Sequence, residues 1–530
     1  MALLAVKNLN FHIDEQPILR EVSFSLEEGE FAVLTGPTGS GKSTLLRLIK
    51  KEIAPKGRKL GTIEVFGKRL SEISPEESLK IGYVMQRPEN QIVTDKVYHE
   101  LAFGLENLGL SREEIERKVG ELASFFGIDS WFRKDTFALS GGEKQILALA
   151  SVMAMDPRLL LLDEPTGELD PIASENFLSL LWKLNRELGV TVLLVEHRLD
   201  QVLEFADKLL VMEDGGITAQ GRPEEVIFGL EDRGRIALPS AARIFLGLNG
   251  TGRLPLSVRE GQEFLGKFRP EKEFREETAP SGEIALAAEN LWFAYERRAE
   301  VLRGVDLKVR EGEILCLVGG NGGGKTSLLK LLAGFHPPLQ GRISVFGRSL
   351  KAYGKDYYKE IIAYLPQNPE DLFLEDAVEK EVEEEELPEF GLESLSRKHP
   401  YDLSGGEQQR LGLAKVLGKK ARLLLLDEPT KALDPFWKDR LLAILKKRKE
   451  ESTIIIATHD LDFAARIADR VGLVFDGRIQ SLAGPRSFFG GNSFYTTAAN
   501  RIARKVYPWA LTEEEVVEAG RRNGEFDEVR

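Results

Sequence analysis

The chain has 530 residues, 42% of them hydrophobic and 30% charged, with 72 Lys and Arg against 85 Asp and Glu, a formal net charge of −13. That balance argues against a protein whose main task is wrapping nucleic acid, since phosphate neutralisation needs a surplus of cations. A single cysteine, Cys316, excludes an internal disulfide and a cysteine-rich metal or iron–sulfur site.

The N-terminal "MALLAVKNLN" lacks a basic n-region and a long apolar core, so no signal peptide is expected. No stretch reaches the roughly 18 apolar residues of a membrane span. The first strong element is "FAVLTG", read as a buried strand, followed by a glycine-rich turn and the apolar helix "KSTLLRLIK". This is the context a P-loop needs, and Gly36–Ser43 matches G-x-x-x-x-G-K-[ST]. Gly36, Gly39 and Gly41 let backbone N–H groups wrap a phosphate, and the helix N-terminus adds its dipole. Lys42 is expected to neutralise the β- and γ-phosphates, and Ser43 to ligate Mg²⁺.

Further along, "ALSGGEKQ" reads as a helix start. Ser140 caps it, Gly141 and Gly142 form the turn and Glu143 lies at the third position, which makes a second anion site. The strand "LLLLD" then delivers Asp163 at its carboxyl end, suited to a second Mg²⁺ contact through water. The next residue, Glu164, could polarise an attacking water.

Every one of these blocks recurs in the same order, at offsets of 264 to 283 residues. "EILCLVGG" and "KTSLLKLLAG" flank a second P-loop, Gly319–Thr326, with Gly322, Gly324, Lys325 and Thr326. "DLSGGEQQ" carries Ser404, Gly405 and Gly406, and the second "LLLLD" ends in Asp427 and Glu428. One such pattern could be an incidental glycine turn; two, each between a strand and a helix, indicate a duplicated nucleotide-binding domain. The second copy is about 20 residues shorter in its middle. Cys316, inside an apolar run, reads as a small buried hydrophobe.

The flanks repeat as well. "SAARIFLGLNGTGRLPLSVRE" echoes "TAANRIARKVYPWALTEEE", and each holds a possible capping box, Ser257 to Glu260 and Thr512 to Glu515. The expected organisation is a first domain at 1–225, its small appendage at 226–267, a polar linker at 268–283, a second domain at 284–485 and a short appendage at 486–530.

The ordered set of P-loop, Gln86 or Gln367, LSGGE, Asp–Glu strand, "LD" (Asp170, Asp434) and His197 or His459 resembles the ATP-binding cassette ATPases over nearly the whole chain. The resemblance implies an α/β fold of two P-loop NTPase cassettes. Each would have a RecA-like core sheet, an antiparallel β subdomain and a helical signature subdomain. It also implies two composite ATP sites, with the P-loop of one cassette facing LSGGE of the other. One would join Lys42, Ser43, Thr44, Gln86, Asp163, Glu164 and His197 to Ser404, Gly405 and Gly406. The other would join Lys325, Thr326, Ser327, Gln367, Asp427, Glu428 and His459 to Ser140, Gly141 and Gly142. The histidines would contact the γ-phosphate, and the glutamines would link the metal to a partner-sensing loop. Tyr295 fits the adenine-stacking aromatic of the family; the aligned residue in the first half is Ile13, with Phe11 nearby. His12, His99, His336 and His399 match no motif and read as structural or surface residues.

The region "QRPENQIVTDKVYHELAFGLENLGL" resembles the ATPases of energy-coupling-factor importers of vitamins and metal ions; the second half follows that pattern less closely. The resemblance implies a place at the cytoplasmic face of a membrane and integral-membrane transmembrane and substrate-binding partner subunits. It also implies an acidic groove near the Gln-loops, with Asp95, Glu100, Asp376, Glu379 and Glu381 as candidates. No nucleic acid partner is expected, and the internal pseudo-dimer needs no second copy of the chain. The alternatives are a twin-cassette ATPase acting on ribosomes, a fused ATPase for sugar uptake, and a purely structural or sensory ATP-binding module.

Overall fold

The computed structural model describes residues 2–167, 169–230, 236–271, 281–295 and 300–523. The linker expected at 268–283 lies mostly at 272–280, outside the described residues. The chain divides into two compact units, Met1–Pro239 and Ser240–Arg530.

Unit 1 begins with an antiparallel hairpin, Ala2–Ile13 and Gln16–Glu27, which Arg58–Val65 and Lys68–Arg69 extend into a four-stranded sheet. Leu4, Val6, Leu9 and Phe11 are buried, whereas Lys7 and Asn8 are exposed. Two exposed residues sit together because the register shifts between Val6 and Leu9, where Asn8 takes φ 47°.

Beside it lies a six-stranded sheet. Its order from edge to edge is Gly216–Gly221, Lys208–Glu213, Phe31–Thr35, Thr191–Val195, Leu159–Asp163 and Ile81–Val84, parallel except at the first pairing. Phe31–Thr35, Thr191–Val195 and Leu159–Asp163 are buried at every residue. That is why their sequences run apolar without alternation, as in strands covered on both faces. Each Leu of Leu159–Leu162 is fully buried, contributing roughly 1.5–3 kcal/mol by removal from water. The P-loop and the turns bearing Gln86, Glu164 and His197 leave this sheet at the carboxyl ends of its parallel strands, where neighbouring loops converge.

Unit 2 repeats both sheets. The antiparallel one contains Leu302–Arg310, Ile284–Phe293, Gln340–Val345 and Arg348–Ser349. The core sheet runs Ile362–Leu365, Leu423–Asp427, Thr453–Ala457, Ile314–Val318, Arg470–Phe475 and Arg478–Ala483. Cys316 is fully buried in strand Ile314–Val318, and burial pushes its thiol pKa up, as expected of an inert packing residue. The halves differ where the second copy is shorter. Unit 1 carries helices Val97–Asn107 and Arg112–Phe125 before the signature helix; unit 2 has only the short helices Val378–Glu381 and Glu386–Glu389 among its described residues there.

The appendage helices form a partnership that the sequence does not announce. Ser240–Gly247 and Val258–Leu265 pack against Ala498–Ala503 and Glu513–Arg522 within unit 2. Ser240 Oγ donates to Glu513 at 2.8 Å and Gln262 Nε2 to the Arg501 carbonyl at 2.7 Å. Ser257 and Thr512 cap the second helix of each pair, with Glu260 N–H and Glu515 N–H as donors. Glycines sit at the crossings: a Cβ on Gly247 would meet Val517 at 2.6 Å, and one on Gly520 would meet Leu248 at 2.6 Å.

Candidate active site

Each P-loop is shaped by glycines whose backbone other residues rarely adopt. Gly36, Gly39 and Gly41 have φ of 146°, 84° and 99°; Gly319, Gly322 and Gly324 have 148°, 78° and 104°. At Gly36 the constraint is also steric, since a Cβ would stand 1.9 Å from the Met212 carbonyl oxygen; at Gly319 it would stand 2.2 Å from that of Val474. The helices Lys42–Ile49 and Lys325–Leu332 follow directly. Lys42 Nζ donates to the carbonyls of Gly36 and Pro37 at 2.9 and 2.8 Å, and Lys325 Nζ to those of Gly319 and Gly320 at 2.8 and 3.1 Å. Each ammonium is thereby held within its own loop. Thr44 is half-buried in the first helix turn, and Ser327 is buried in the second.

The sheet order sets the rest. Strand Leu159–Asp163 lies two places from the P-loop strand, with Thr191–Val195 between them. Asp163 therefore ends opposite Ser43, whose Oγ donates to Oδ1 at 2.8 Å; Tyr83 OH donates to Oδ2 at 3.0 Å. Burial and the charge of Glu164 push the Asp163 carboxyl up, against the pull of Ser43 and Tyr83. The second half differs. Both Asp427 oxygens are buried without a hydrogen-bond partner, as is the hydroxyl of the equivalent Tyr364. Burial first, then the adjacent Glu428 charge, pushes Asp427 up to about 6, with Thr326 opposing. A buried carboxylate with two unused oxygens is a donor set suited to a hard divalent cation, and Mg²⁺ asks for only one or two protein oxygens when phosphates and water supply the others. Among the described residues there is no cluster of three or more His, Cys, Asp or Glu that could hold a metal by themselves.

Glu164 and Glu428 follow at φ 47° and 51°, left-handed values unusual for a side-chain-bearing residue. Glu164 Oε1 lies 3.0 Å from His197 Nε2, and Oε2 accepts from Gln86 Nε2 at 3.2 Å. Glu428 Oε2 lies 2.9 Å from His459 Nδ1 and accepts from the His459 amide at 3.2 Å. Burial alone would raise both carboxyls. The imidazoles and the P-loop lysines outweigh it and hold both below the usual glutamate range. Each half thus presents an ionised carboxylate beside a histidine, facing its own P-loop lysine. Gln367, unlike Gln86, is exposed.

The signature helices Gly141–Met153 and Gly405–Leu417 begin as expected. Ser140 Oγ accepts from Glu143 N–H at 3.3 Å and Ser404 Oγ from Glu407 N–H at 3.4 Å; both serines and the following Gly141 and Gly405 are exposed, while Gly142 is half-buried and Gly406 is buried. Within each unit these serines bond their own helix turn rather than the P-loop group. Asp170 and Asp434 cap the helices that follow the Glu turns, accepting from Ala173 N–H at 2.9 Å and Trp437 N–H at 3.0 Å.

The base-stacking candidates separate. Tyr295 is 37% exposed, with its hydroxyl 3.2 Å from Ser327 Oγ and its ring edge-on to His336 at 5.6 Å. Phe11 is buried in the core and cannot stack on a base, which leaves exposed Ile13 in the first half. His336, read as structural, lines the Tyr295 surface; His99 pairs with Asp95, and His399 accepts from Tyr401 N–H.

Two of the acidic-groove candidates need correction. Glu100 is buried, and its Oε2 accepts from the amides of Val93 and Thr94 at 3.1 and 2.9 Å. Glu381 is buried too; Oε1 accepts from Leu374 and Glu375 amides at 2.6 and 2.7 Å, and Oε2 pairs with Lys415. Both anchor the loop after the Gln-loop, so neither is a free surface charge. Asp95, Asp376 and Glu379 are exposed. Sequence reasoning missed Tyr83 and Tyr364, although each stands three residues before its Gln in "YVMQ" and "YLPQ", a recurrence that could have revealed them.

The fold and this site define a chain with two P-loop nucleotide-binding halves. Residues 19–167 and 302–431 match the ABC transporter family, and the chain belongs to it. A protein of Bacillus thuringiensis subsp. konkukian (strain 97-27), provisionally named an ABC transporter ATP-binding protein, is 42% identical, covering 97% of this chain and 98% of that one. A protein of Bacillus subtilis (strain 168), provisionally named the HMP/thiamine import ATP-binding protein YkoD, is 32% identical over 97% of each chain. Among solved structures, the archaeal ribosome recycling factor aABCE1 in complex with the stalk protein aP1 aligns at a TM-score of 0.58 and 20% identity, covering 92% of this chain and 91% of that one, which is a likeness of fold. The chain is an ATP-binding ATPase of the transporter family.

Proposed function

We propose that the chain powers import of a small micronutrient, a vitamin, its precursor or a metal ion, in the manner of energy-coupling-factor importers. It would act at the cytoplasmic face of the membrane on integral-membrane subunits that also choose the substrate. The observation that carries the reading of two competent sites is the carboxylate–imidazole contact in both halves, 3.0 Å at Glu164–His197 and 2.9 Å at Glu428–His459. A half that had lost hydrolysis would have no need to keep it. The import reading is supported by the B. subtilis relative named for HMP/thiamine import. No helix among the described residues is long and apolar enough to cross a membrane, which fits a requirement for separate membrane subunits.

In this reading the P-loop backbone and Lys42 or Lys325 would bind the ATP phosphates, and Ser43 with Asp163, or Thr326 with Asp427, would hold Mg²⁺. Bound Mg²⁺ would supply charge neutralisation on the phosphates. Gln86 and Gln367 would link that metal to a partner-sensing loop. Glu164 or Glu428 accepts a proton from the attacking water, and His197 or His459 orients that carboxylate and contacts the γ-phosphate. By the family resemblance, Ser404–Gly406 and Ser140–Gly142 would each complete the site of the other cassette.

The test has two arms. Affinity purification from detergent-solubilised membranes should retain an integral-membrane protein with the chain; co-sedimentation with ribosomes instead would sink the import reading. For the sites, Ser404→Arg should abolish nucleotide trapping at the Lys42 P-loop and Ser140→Arg at the Lys325 P-loop. Loss confined to the P-loop of the mutated half itself would contradict the composite arrangement.

A further inference from the structure

Glu196 stands just before His197 at the end of strand Thr191–Val195 and belongs to no motif. Its carboxyl is buried, with the residue 3% exposed. Oε1 accepts two hydrogen bonds from Thr166, one from the amide at 3.2 Å and one from the hydroxyl at 2.7 Å. Its own amide donates to the Leu34 carbonyl of the P-loop strand at 3.2 Å. Thr166 lies two residues after Glu164, in a turn closed by Gly167 N–H on the Glu164 carbonyl at 3.2 Å. Glu164 holds φ 47° in that turn. A left-handed conformation at a residue with a side chain persists only where its surroundings over-determine it.

The second half builds the same turn without a carboxylate. Thr458 occupies the place of Glu196, its amide donating to Leu317 at 3.0 Å, and its hydroxyl accepts from Asp460 N–H at 3.0 Å. There Gln409 Nε2 reaches the carbonyls of Glu428 and Pro429 at 3.4 and 3.1 Å, and the His459 amide holds the Glu428 carboxylate. The first-half counterpart, Gln145, donates instead to Met85 at 3.4 Å.

We propose that Glu196 is a positioning residue for hydrolysis in the first half: acting through Thr166, its carboxyl fixes the left-handed turn that aims Glu164, a task given to Gln409 and the His459 amide in the second half. The inference rests on Glu164 being the group that polarises the attacking water. Burial pushes the Glu196 carboxyl pKa up, with the Glu164 charge adding to the rise and the Thr166 bonds opposing it. What the turn needs from it is an acceptor oxygen, and a glutamine amide supplies one in the same place.

The experiment is steady-state ATP hydrolysis by the full chain carrying Glu196→Gln, Glu196→Ala, Thr166→Val or Glu164→Gln, each with its thermal midpoint. Glu196→Gln should keep the parental kcat. Glu196→Ala should lower kcat at least ~2-fold, the share of one site of two, and towards the Glu164→Gln level if the sites are coupled, with KM for ATP unchanged. Thr166→Val preserves the buried volume and should reproduce the kcat loss. Equal losses for Gln and Ala, a change in KM alone, or a parental kcat in Thr166→Val would overturn the proposal. Parental turnover in Glu164→Gln would instead remove the role of Glu164, and the proposal with it.

Discussion

Asp427→Asn should stabilise the nucleotide-free chain while ending hydrolysis in the second half. Burial, with the Glu428 charge beside it, pushes the Asp427 carboxyl up to about 6. An unburied aspartate titrates near ~3.9, and the gap between the two values corresponds to ~3 kcal/mol. Because the native value lies above the unfolded one, the native state binds the proton more tightly. Stability from this group is present below ~4 and is lost as pH rises to about 6. Asn mimics the neutral acid and escapes that loss. The expected gain is ~3 kcal/mol at pH 8 and about half of that at pH 5. For a unit of this size ~3 kcal/mol is on the order of 5–10 °C in midpoint. The assay is thermal unfolding with EDTA and without nucleotide, following the transition of the second unit at both pH values. Asp163→Asn is the internal contrast: the Ser43 and Tyr83 hydroxyls donate to its two oxygens, and an amide nitrogen cannot accept, so destabilisation is expected. A lower midpoint for Asp427→Asn at pH 8, or a gain that does not shrink at pH 5, would refute the reasoning.

Gly36→Ala should abolish nucleotide binding by the first P-loop, since its Cβ would fall 1.9 Å from a backbone carbonyl oxygen; equilibrium binding of a fluorescent ATP analogue in a Lys325→Ala background reads that half alone. Glu164→Gln and Glu428→Gln should each cut turnover strongly, removal of a positioned proton-handling group costing ~10²–10⁴-fold at its own site. Full activity in either variant would show that half to be dispensable. Glu381→Ala strips one ion-pair partner and the acceptor of two amides from a buried site, so a destabilisation of ~3–5 kcal/mol is expected in urea unfolding. Tyr295→Ala should weaken ATP binding in the second half by ~1 kcal/mol through lost stacking, with little change at Ile13→Ala, read by titration of each variant.

Much of this molecule is legible along the chain because its signals are local. A P-loop needs glycines at fixed spacing to reach positive φ, and the lysine and hydroxyl that follow are placed by the same turn. The run "LLLLD" is apolar because its strand is buried on both faces, and its duplication announces two copies of one domain. Signature serines cap helices whose third residue is Glu, again within four residues. What the sequence conceals depends on residues far apart in the chain. Asp163 and Asp427 carry the same letter in the same motif, yet Asp163 accepts from two hydroxyls at 2.8 and 3.0 Å while neither Asp427 oxygen closes such a bond. Glu100 and Glu381 look like surface acids in a charged run. The fold turns them inward to collect loop amides that would otherwise lie unpaired. Glu196 matches no spacing rule, since its partner Thr166 comes from the turn that follows a neighbouring strand. The appendage helices, each too short to bury its apolar face unaided, read as two separate tails; only contact between segments about 250 residues apart makes them one packed module. Spacing governs what one turn or one helix can do, whereas charge state, strain and partnership follow from which strands the sheet sets side by side.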